Sequence, residues 1–303
     1  MQMKILITGA TGFIGKNFLN SISEDVSILA ISKSHNQFEN TNNKVEYIIS
    51  DLEDVEKYKK FVYQFEPTVA IHLAWHGIPD LGQKNSQFNK HISIKLIDVL
   101  VKLKSIKKII ITGSCLEYSS SKINCKEDQS ILPNSYFSTS KNDIRKYLKK
   151  ECDENQIDYY WLRLFYVYGK YQRKDSLIPS LINCLLKKEV PIINNPYDEN
   201  DYINIDDVVD FIKLILKSKM ESGIYNIGSG KTLNPIQISR IIEKKLYRND
   251  DLTKKILLKK NEGKQIKFYA NIMKFSKYYD THNLISLDQG IEKLINEFKN
   301  DNL

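Results

Sequence analysis

What this sequence has little of narrows it first. Its four cysteines, Cys115, Cys125, Cys152 and Cys184, are scattered and form no CxxC pair. That argues against a disulfide framework and against a metal site, and for a reducing compartment. Long apolar runs are missing too: even Val208–Leu216 is short and broken by charge, so no membrane association is expected. The N-terminus enters a strand directly, which leaves no room for a signal peptide, and the expectation is a soluble cytoplasmic protein. The net charge of +8 comes without a nucleic-acid recognition motif, and the lysines are spread in pieces such as Lys146–Lys150 and Lys254–Lys260. A solvated basic surface, or one that favours an anionic small substrate, accounts for them better than a nucleic-acid track. Internal repeats and low-complexity linkers are absent as well.

What is present reads as alternating strands and helices. Lys4–Thr8 is a short apolar run, followed by Gly9-Ala10-Thr11-Gly12-Phe13-Ile14-Gly15 and a helical pattern through Phe18, Leu19 and Ile22. Strand, glycine turn and helix in that order make a dinucleotide loop: Gly9 permits the turn, Gly12 lets backbone approach a pyrophosphate, and Gly15 lets the helix pack on the strand. Further strands are expected at Val26–Ile31, Val45–Ile49, Thr68–Leu73, Lys108–Thr112 and Tyr159–Phe165. Helices are expected over Val55–Phe65, Ser86–Leu103 and Phe137–Cys152. The pattern predicts an α/β fold, a Rossmann-type doubly wound parallel sheet, for residues 1–168. A smaller mixed α/β C-terminal lobe, with Asp201–Val209, Gly223–Gly228 and the helical stretch Asp288–Phe298, is expected for residues 169–303, with chain crossovers between the two.

Two local absences bear on chemistry. The second strand ends in Ser32-Lys33-Ser34, with no acidic residue to take a ribose diol. Ser32 and Lys33 can instead meet a 2′-phosphate, so NADP (as NADPH) is preferred over NAD. Asp51-Leu52 ends the third strand, where a carboxylate could accept from an adenine amino group. The second absence is in LPNSYFSTSK, Leu132 to Lys141. A catalytic phenol would stand four residues before the lysine, and that residue is Phe137; Tyr136 is five before. At about 100° per residue, Tyr136 and Lys141 lie about 140° apart around a helix, against about 40° for an i,i+4 pair. Three readings stay open: an engineered Tyr→Phe variant, a naturally inactive homologue, or a working site that uses Tyr136.

TGATGFIG, Asp51-Leu52, IHLAW (Ile71–Trp75), ITGSCLEY (Ile111–Tyr118), RLFYVYG (Arg163–Gly169), DYINIDDV (Asp201–Val208), YNIGSG (Tyr225–Gly230) and EGKQIKFYANIMK (Glu262–Lys274) together resemble the extended short-chain dehydrogenase/reductases. More narrowly, the chain is similar to the nucleotide-sugar epimerases, dehydratases and 4-ketosugar reductases. The resemblance implies that Ser114 hydrogen-bonds the sugar oxygen undergoing oxidation or reduction, and that Lys141 binds the nicotinamide ribose and lowers the pKa of a phenol at position 137. It further implies a cofactor lining that includes Leu73, Ala74, Trp75, Thr112, Phe165 and Val167. Glu117, Tyr166, Arg173, Leu177, Asn200 and Lys260 are the implied substrate contacts, Arg173 and Lys260 or Lys264 supplying charge where Asn200 stands in place of the family's usual arginine.

The 4,6-dehydratases carry an Asp-Glu pair after the catalytic hydroxyl, where this chain has Cys115 and Leu116, which disfavours dehydration. The 3,5-epimerase/4-reductases place a cysteine where Leu116 stands. What remains is NADPH-dependent reduction of a CDP-, dTDP- or GDP-linked 4-keto-6-deoxysugar. An NAD-dependent 4-epimerase and a non-catalytic NADP-binding homologue are the alternatives. The partners implied are a nucleotide-diphosphate sugar and, by resemblance alone, a second copy of the chain in a homodimer.

Overall fold

The computed structural model describes residues 3–22, 26–34, 45–118, 123–257 and 266–300. In chain order the elements are β1 (Met3–Thr8), α1 (Phe13–Ser21), β2 (Val26–Ser32), β3 (Val45–Ile49), α2 (Val55–Phe65), β4 (Val69–His72), α3 (Gln83–Leu100), β5 (Lys108–Ser114), α4 (Tyr136–Asn155) and β6 (Asp158–Leu164). There follow β7 (Tyr166–Tyr168), α5 (Leu177–Leu186), β8 (Glu199–Asn204), α6 (Ile205–Lys217), β9 (Gly223–Ile227), β10 (Thr232–Leu233), α7 (Pro235–Tyr247), α8 (Asp251–Leu257), β11 (Lys267–Phe268) and α9 (Leu287–Asn300).

Seven strands form one sheet in the order β3-β2-β1-β4-β5-β6-β9, and the pairs from β3 across to β6 are all parallel. A parallel sheet is covered on both faces, which is why its strands read as continuous apolar runs. Alternate residues divide between the two faces. Leu6, Leu29, Ile31, Ala70, Ile109, Ile111 and Trp161 share a core with residues of α2, α3 and α4, among them Tyr58, Leu96 and Leu148. Ile5, Ile7, Ile28, Ile110 and Tyr160 alternate with them and are buried as well. This is the doubly wound α/β fold expected.

The chain divides into two compact units, 1–119 with 127–164 and 211–226, and 120–126 with 165–210 and 227–303. The division therefore follows Leu164, where the sequence reading put it after residue 168. Gly223–Ile227, expected in the smaller lobe, is instead the β9 edge of the large sheet. Asp201–Val209 comprises the end of β8 and the start of α6. In the second unit, β8 lies between β10 and β11 and also pairs with β7. Its core joins Tyr168 to α5, α7 and α9 through Ile178, Leu181, Ile238, Ile242, Ile291 and Leu294. Asp201, fully buried, accepts hydrogen bonds from the N–H groups of Ser229, Gly230 and Ala270 and from the Ser229 hydroxyl. The DYI and GSG motifs are thus one knot. Among the described residues, no helix is long and apolar enough to cross a membrane.

Candidate functional site

The glycine turn is built as its spacing demands. Gly9 has φ +73, and a Cβ there would stand 2.6 Å from the Ala74 nitrogen, so a side chain is barred both by conformation and by the end of β4. Gly12 is exposed, and its N–H closes the turn on the Gly9 carbonyl at 3.0 Å. Gly15 packs on the turn and not on the strand: a Cβ would lie 2.2 Å from the Gly9 oxygen. Gly12 is the N-cap of α1, and no side chain caps the first turn, in which Phe13 and Ile14 stand. The amide groups there are open to an anion. Thr11 lies half-buried in the same turn.

At the ends of β2 and β3, the Lys33 ammonium sits 2.5 Å from the Asp51 carboxylate. Burial works against the charge of Asp51. The hydrogen bonds from Lys33 and from the Glu53 N–H outweigh it and hold the carboxyl below its usual range. Ser32 is buried and bonds to the Ser34 carbonyl, and Leu52 is buried in the core. The edge of this crevice is therefore an ion pair, not a lone cation.

Ser114 ends β5 and caps a single 3-10 turn, Cys115–Glu117. Its Oγ accepts from the Leu116 N–H at 3.1 Å, and its hydroxyl proton has no acceptor among the described residues. Glu117 is fully buried, which corrects the expectation that it reaches a sugar hydroxyl. Its Oε1 accepts from the Ser114 N–H at 2.9 Å and from Trp161 Nε1 at 2.9 Å, and its Oε2 from Arg163 Nε at 3.0 Å. Arg163, 1% exposed, also donates to the Tyr118 hydroxyl at 2.7 Å, and Tyr118 in turn donates to Asn226 at 2.8 Å. Burial disfavours the guanidinium charge, but Glu117 and Tyr118 more than offset it. Sequence reading missed this partner, although an arginine within the apolar strand YYWLRLF is itself the signal, because a buried charge needs a counter-charge.

α4 begins at Tyr136 because Ser135 and Ser138 cap it reciprocally, Ser135 Oγ accepting from the Ser138 N–H and Ser138 Oγ from the Ser135 N–H. The helix thus does not start late, and Tyr136 is 56% exposed. Neither observation favours the reading in which Tyr136 serves the site. Phe137 is buried, its ring edge-on to Trp75 at 5.0 Å between centres. One turn on, Lys141 lays its Nζ over the Trp75 face at 4.0 Å, with the Phe137 and Trp161 rings at 5.8 and 5.9 Å. Nζ donates to the Thr112 carbonyl at 2.8 Å. Burial brings the lysine down to about 7, although Glu117 pulls the other way.

His72 underlies this cluster. Ser93 Oγ gives its proton to the Asn89 carbonyl, so it accepts from His72 Nε2, and the Thr8 hydroxyl donates to Nδ1. The ring is neutral, its pKa pushed down to about 3 by burial and by the Lys141 charge. It ties β1, β4 and α3 together just behind the glycine turn.

Ser114, Thr112, Phe137, Lys141, Trp75 and Glu117 are thus brought together in one unit, with Leu73 and Ala74 at the same strand ends as Gly9. Phe165, Tyr166, Val167, Arg173, Leu177 and Asn200 lie in the second unit. There Tyr166 tilts against Tyr202, Arg173 pairs with Asp175 at 3.4 Å, Leu177 packs on the second core, and Asn200 sits in β8. Lys260 and Lys264 fall outside the described residues.

Residues 5–228 match the NAD dependent epimerase/dehydratase family. The chain belongs to that family. Within it, the chain is 26% identical to the dTDP-4-dehydro-6-deoxyglucose reductase of Escherichia coli, over 97% of each chain. It is 26% identical to the CDP-abequose synthase of Salmonella muenchen, over 83% of this chain and 84% of that one. Among solved structures, UDP-glucose 4-epimerase from Thermotoga maritima with UDP-glucose superposes with a TM-score of 0.81, at 20% identity, over 99% of this chain and 100% of that one. That last likeness is one of fold.

The residues present fit a dinucleotide of the kind the family description names. The turn around Gly9 is a cradle that a Cβ would fill, and the first turn of α1 is uncapped. Trp75 Nε1 is buried without a partner among the described residues, and Lys141 has two N–H groups beyond the one given to Thr112.

Proposed function

We propose that this chain binds NADPH and a nucleotide-linked 4-keto-6-deoxysugar and reduces the C4 keto group slowly, because Phe137 has replaced the phenol. The observation that carries this reading is the intact pair around position 137: Ser114 with its hydroxyl proton uncommitted, and Lys141 buried beside the Phe137 ring. The dTDP- and CDP-sugar relatives, at 26% identity over most of the chain, support the substrate class. The cofactor supplies hydride to C4. Ser114 donates its hydroxyl to the C4 oxygen and orients it; the Leu116 N–H fixes the rotamer of that hydroxyl. Lys141 presents one of its two remaining N–H groups to the nicotinamide ribose and brings positive charge next to the oxygen that turns negative. Trp75 and Phe137 exclude water from that charge.

The test is incubation of the chain with dTDP-4-dehydro-6-deoxyglucose and NADPH, read by mass. A product two mass units heavier, formed with loss of NADPH, supports reduction. NADPH bound without any product favours the non-catalytic reading, to which Phe137 lends its own weight.

The preference for NADPH rests on Lys33 and on the lack of an acid at the end of β2. A charge-assisted contact of this kind contributes about 1.5 kcal/mol, or roughly tenfold in affinity. Lys33→Ala is therefore expected to weaken NADPH binding about tenfold more than NADH binding, since loss of the Asp51 partner acts on both cofactors alike, as measured by fluorescence titration. Equal loss for both cofactors would remove Lys33 from the 2′-phosphate.

A further inference from the structure

Reduction of a ketone leaves an oxygen that must take up a proton, and Phe137 has none to give. The neighbouring hydroxyls and rings do not fill the gap. Tyr136 faces solvent, the Tyr118 hydroxyl gives its proton to Asn226, and both nitrogens of neutral His72 are engaged by Thr8 and Ser93. Ser114 is a very weak acid, able to hold the oxygen but not to protonate it at neutral pH.

We propose that Lys141 itself delivers the proton in this chain, its ammonium taking over as general acid from the absent phenol. The inference rests on the reductase reading above. C4 gains a hydride and is reduced, and the nicotinamide is oxidised. One N–H bond of Lys141 breaks as the O–H bond at the C4 oxygen forms, and the neutral amine left behind recovers its proton from water.

The geometry is that of one helical face. Lys141 stands one turn after position 137, so its head group projects over the same patch. Nζ is 5.8 Å from the Phe137 ring centre, and only one of its three N–H groups is committed among the described residues, to Thr112. Among the described residues packed near it, the other ionisable groups are engaged elsewhere. From β4 comes neutral His72; from the 3-10 turn comes Glu117, whose charge is spent on Arg163 of β6; and on α4 itself Arg145 bonds Asn142. The surround is otherwise the faces of Trp75, Phe137 and Trp161. In that setting burial brings the lysine to about 7, close to where a general acid is most effective at neutral pH.

Two readouts test this. The first follows Lys141 in the cofactor-free chain by NMR of 13C-labelled lysine, its signal assigned by its loss in Lys141→Arg. The second is the pH dependence of NADPH oxidation with dTDP-4-dehydro-6-deoxyglucose. The expected result is an NMR midpoint near 7 and a slow turnover that falls about tenfold per pH unit above that same midpoint. Lys141→Arg, which stays charged at every pH, should lack the falling limb, and Phe137→Tyr should no longer follow the lysine midpoint. A limb unrelated to the NMR midpoint overturns the proposal. So does a parent chain without turnover at any pH beside a Phe137→Tyr chain that reduces the same substrate, an outcome that keeps the reductase chemistry for the site with tyrosine restored and withdraws it from this chain. If neither chain turns over although both bind NADPH, the reductase reading falls and the inference with it.

Discussion

Phe137→Tyr should raise the rate of ketosugar reduction by about 10²-fold, the lower end of the worth of a positioned general acid, because Lys141 already supplies part of that proton transfer. The argument is local. The capping box at Ser135 and Ser138 fixes the start of α4, so position 137 lies in its first turn, on the face that carries Lys141. The ring there is already buried and held edge-on by Trp75, so a phenol would inherit an orientation and need not find one. The Lys141 charge would lower the phenol pKa and offer its hydroxyl a partner. A buried hydroxyl without a partner costs about 1–3 kcal/mol, so urea unfolding gives an independent check that the new group is hydrogen-bonded. Tyr136→Phe is the control: that side chain is solvated, and its loss should leave the rate unchanged. If Phe137→Tyr binds NADPH as before and gains no activity, position 137 is not where the proton enters.

How much of this was visible beforehand depends on whether the deciding partner was near in sequence. The parallel strands showed themselves because burial on both faces writes them as apolar runs; β3 and α2 fall on the residues expected. The angular argument about Tyr136 concerns a single helix, and its premise of an early helix start is met. α3 is shifted by three residues, to Gln83–Leu100 in place of Ser86–Leu103. Its first turn is polar and lies outside the apolar period, whereas Leu103 packs on the core from the loop that follows. β9 was assigned to the wrong lobe because GIYNIG says only that it is a strand, and its place at the sheet edge beside β6 is set by pairing far along the chain. Glu117 was misread for the same reason. Its partners Trp161 and Arg163 are 44 and 46 residues away, and a carboxylate next to a catalytic serine looks like a substrate ligand until those partners are in place.

That carboxylate gives the second large effect. Glu117→Gln keeps an oxygen that can still accept from the Ser114 and Trp161 N–H groups, but it leaves Arg163 buried without a counter-charge. Breaking a buried pair in this way costs about 3–5 kcal/mol, and urea unfolding of the variant should show a loss of that order. The pair is not there for stability alone, and a double variant separates the two roles. Glu117→Leu with Arg163→Met removes both charges and substitutes apolar volume, an exchange that is often neutral or stabilising. Stability should then return toward that of the parent. Turnover should not, because the Ser114 N–H has lost the acceptor that sets the 3-10 turn and, with it, the direction of the serine hydroxyl. The loss should fall on kcat more than on KM, since it concerns an oxygen that is charged only during the reaction. A double variant that regains both stability and turnover would reduce Glu117 to one half of a structural ion pair. A single variant as stable as the parent would mean that Arg163 finds another anion, and that the buried charge pair does not organise the serine.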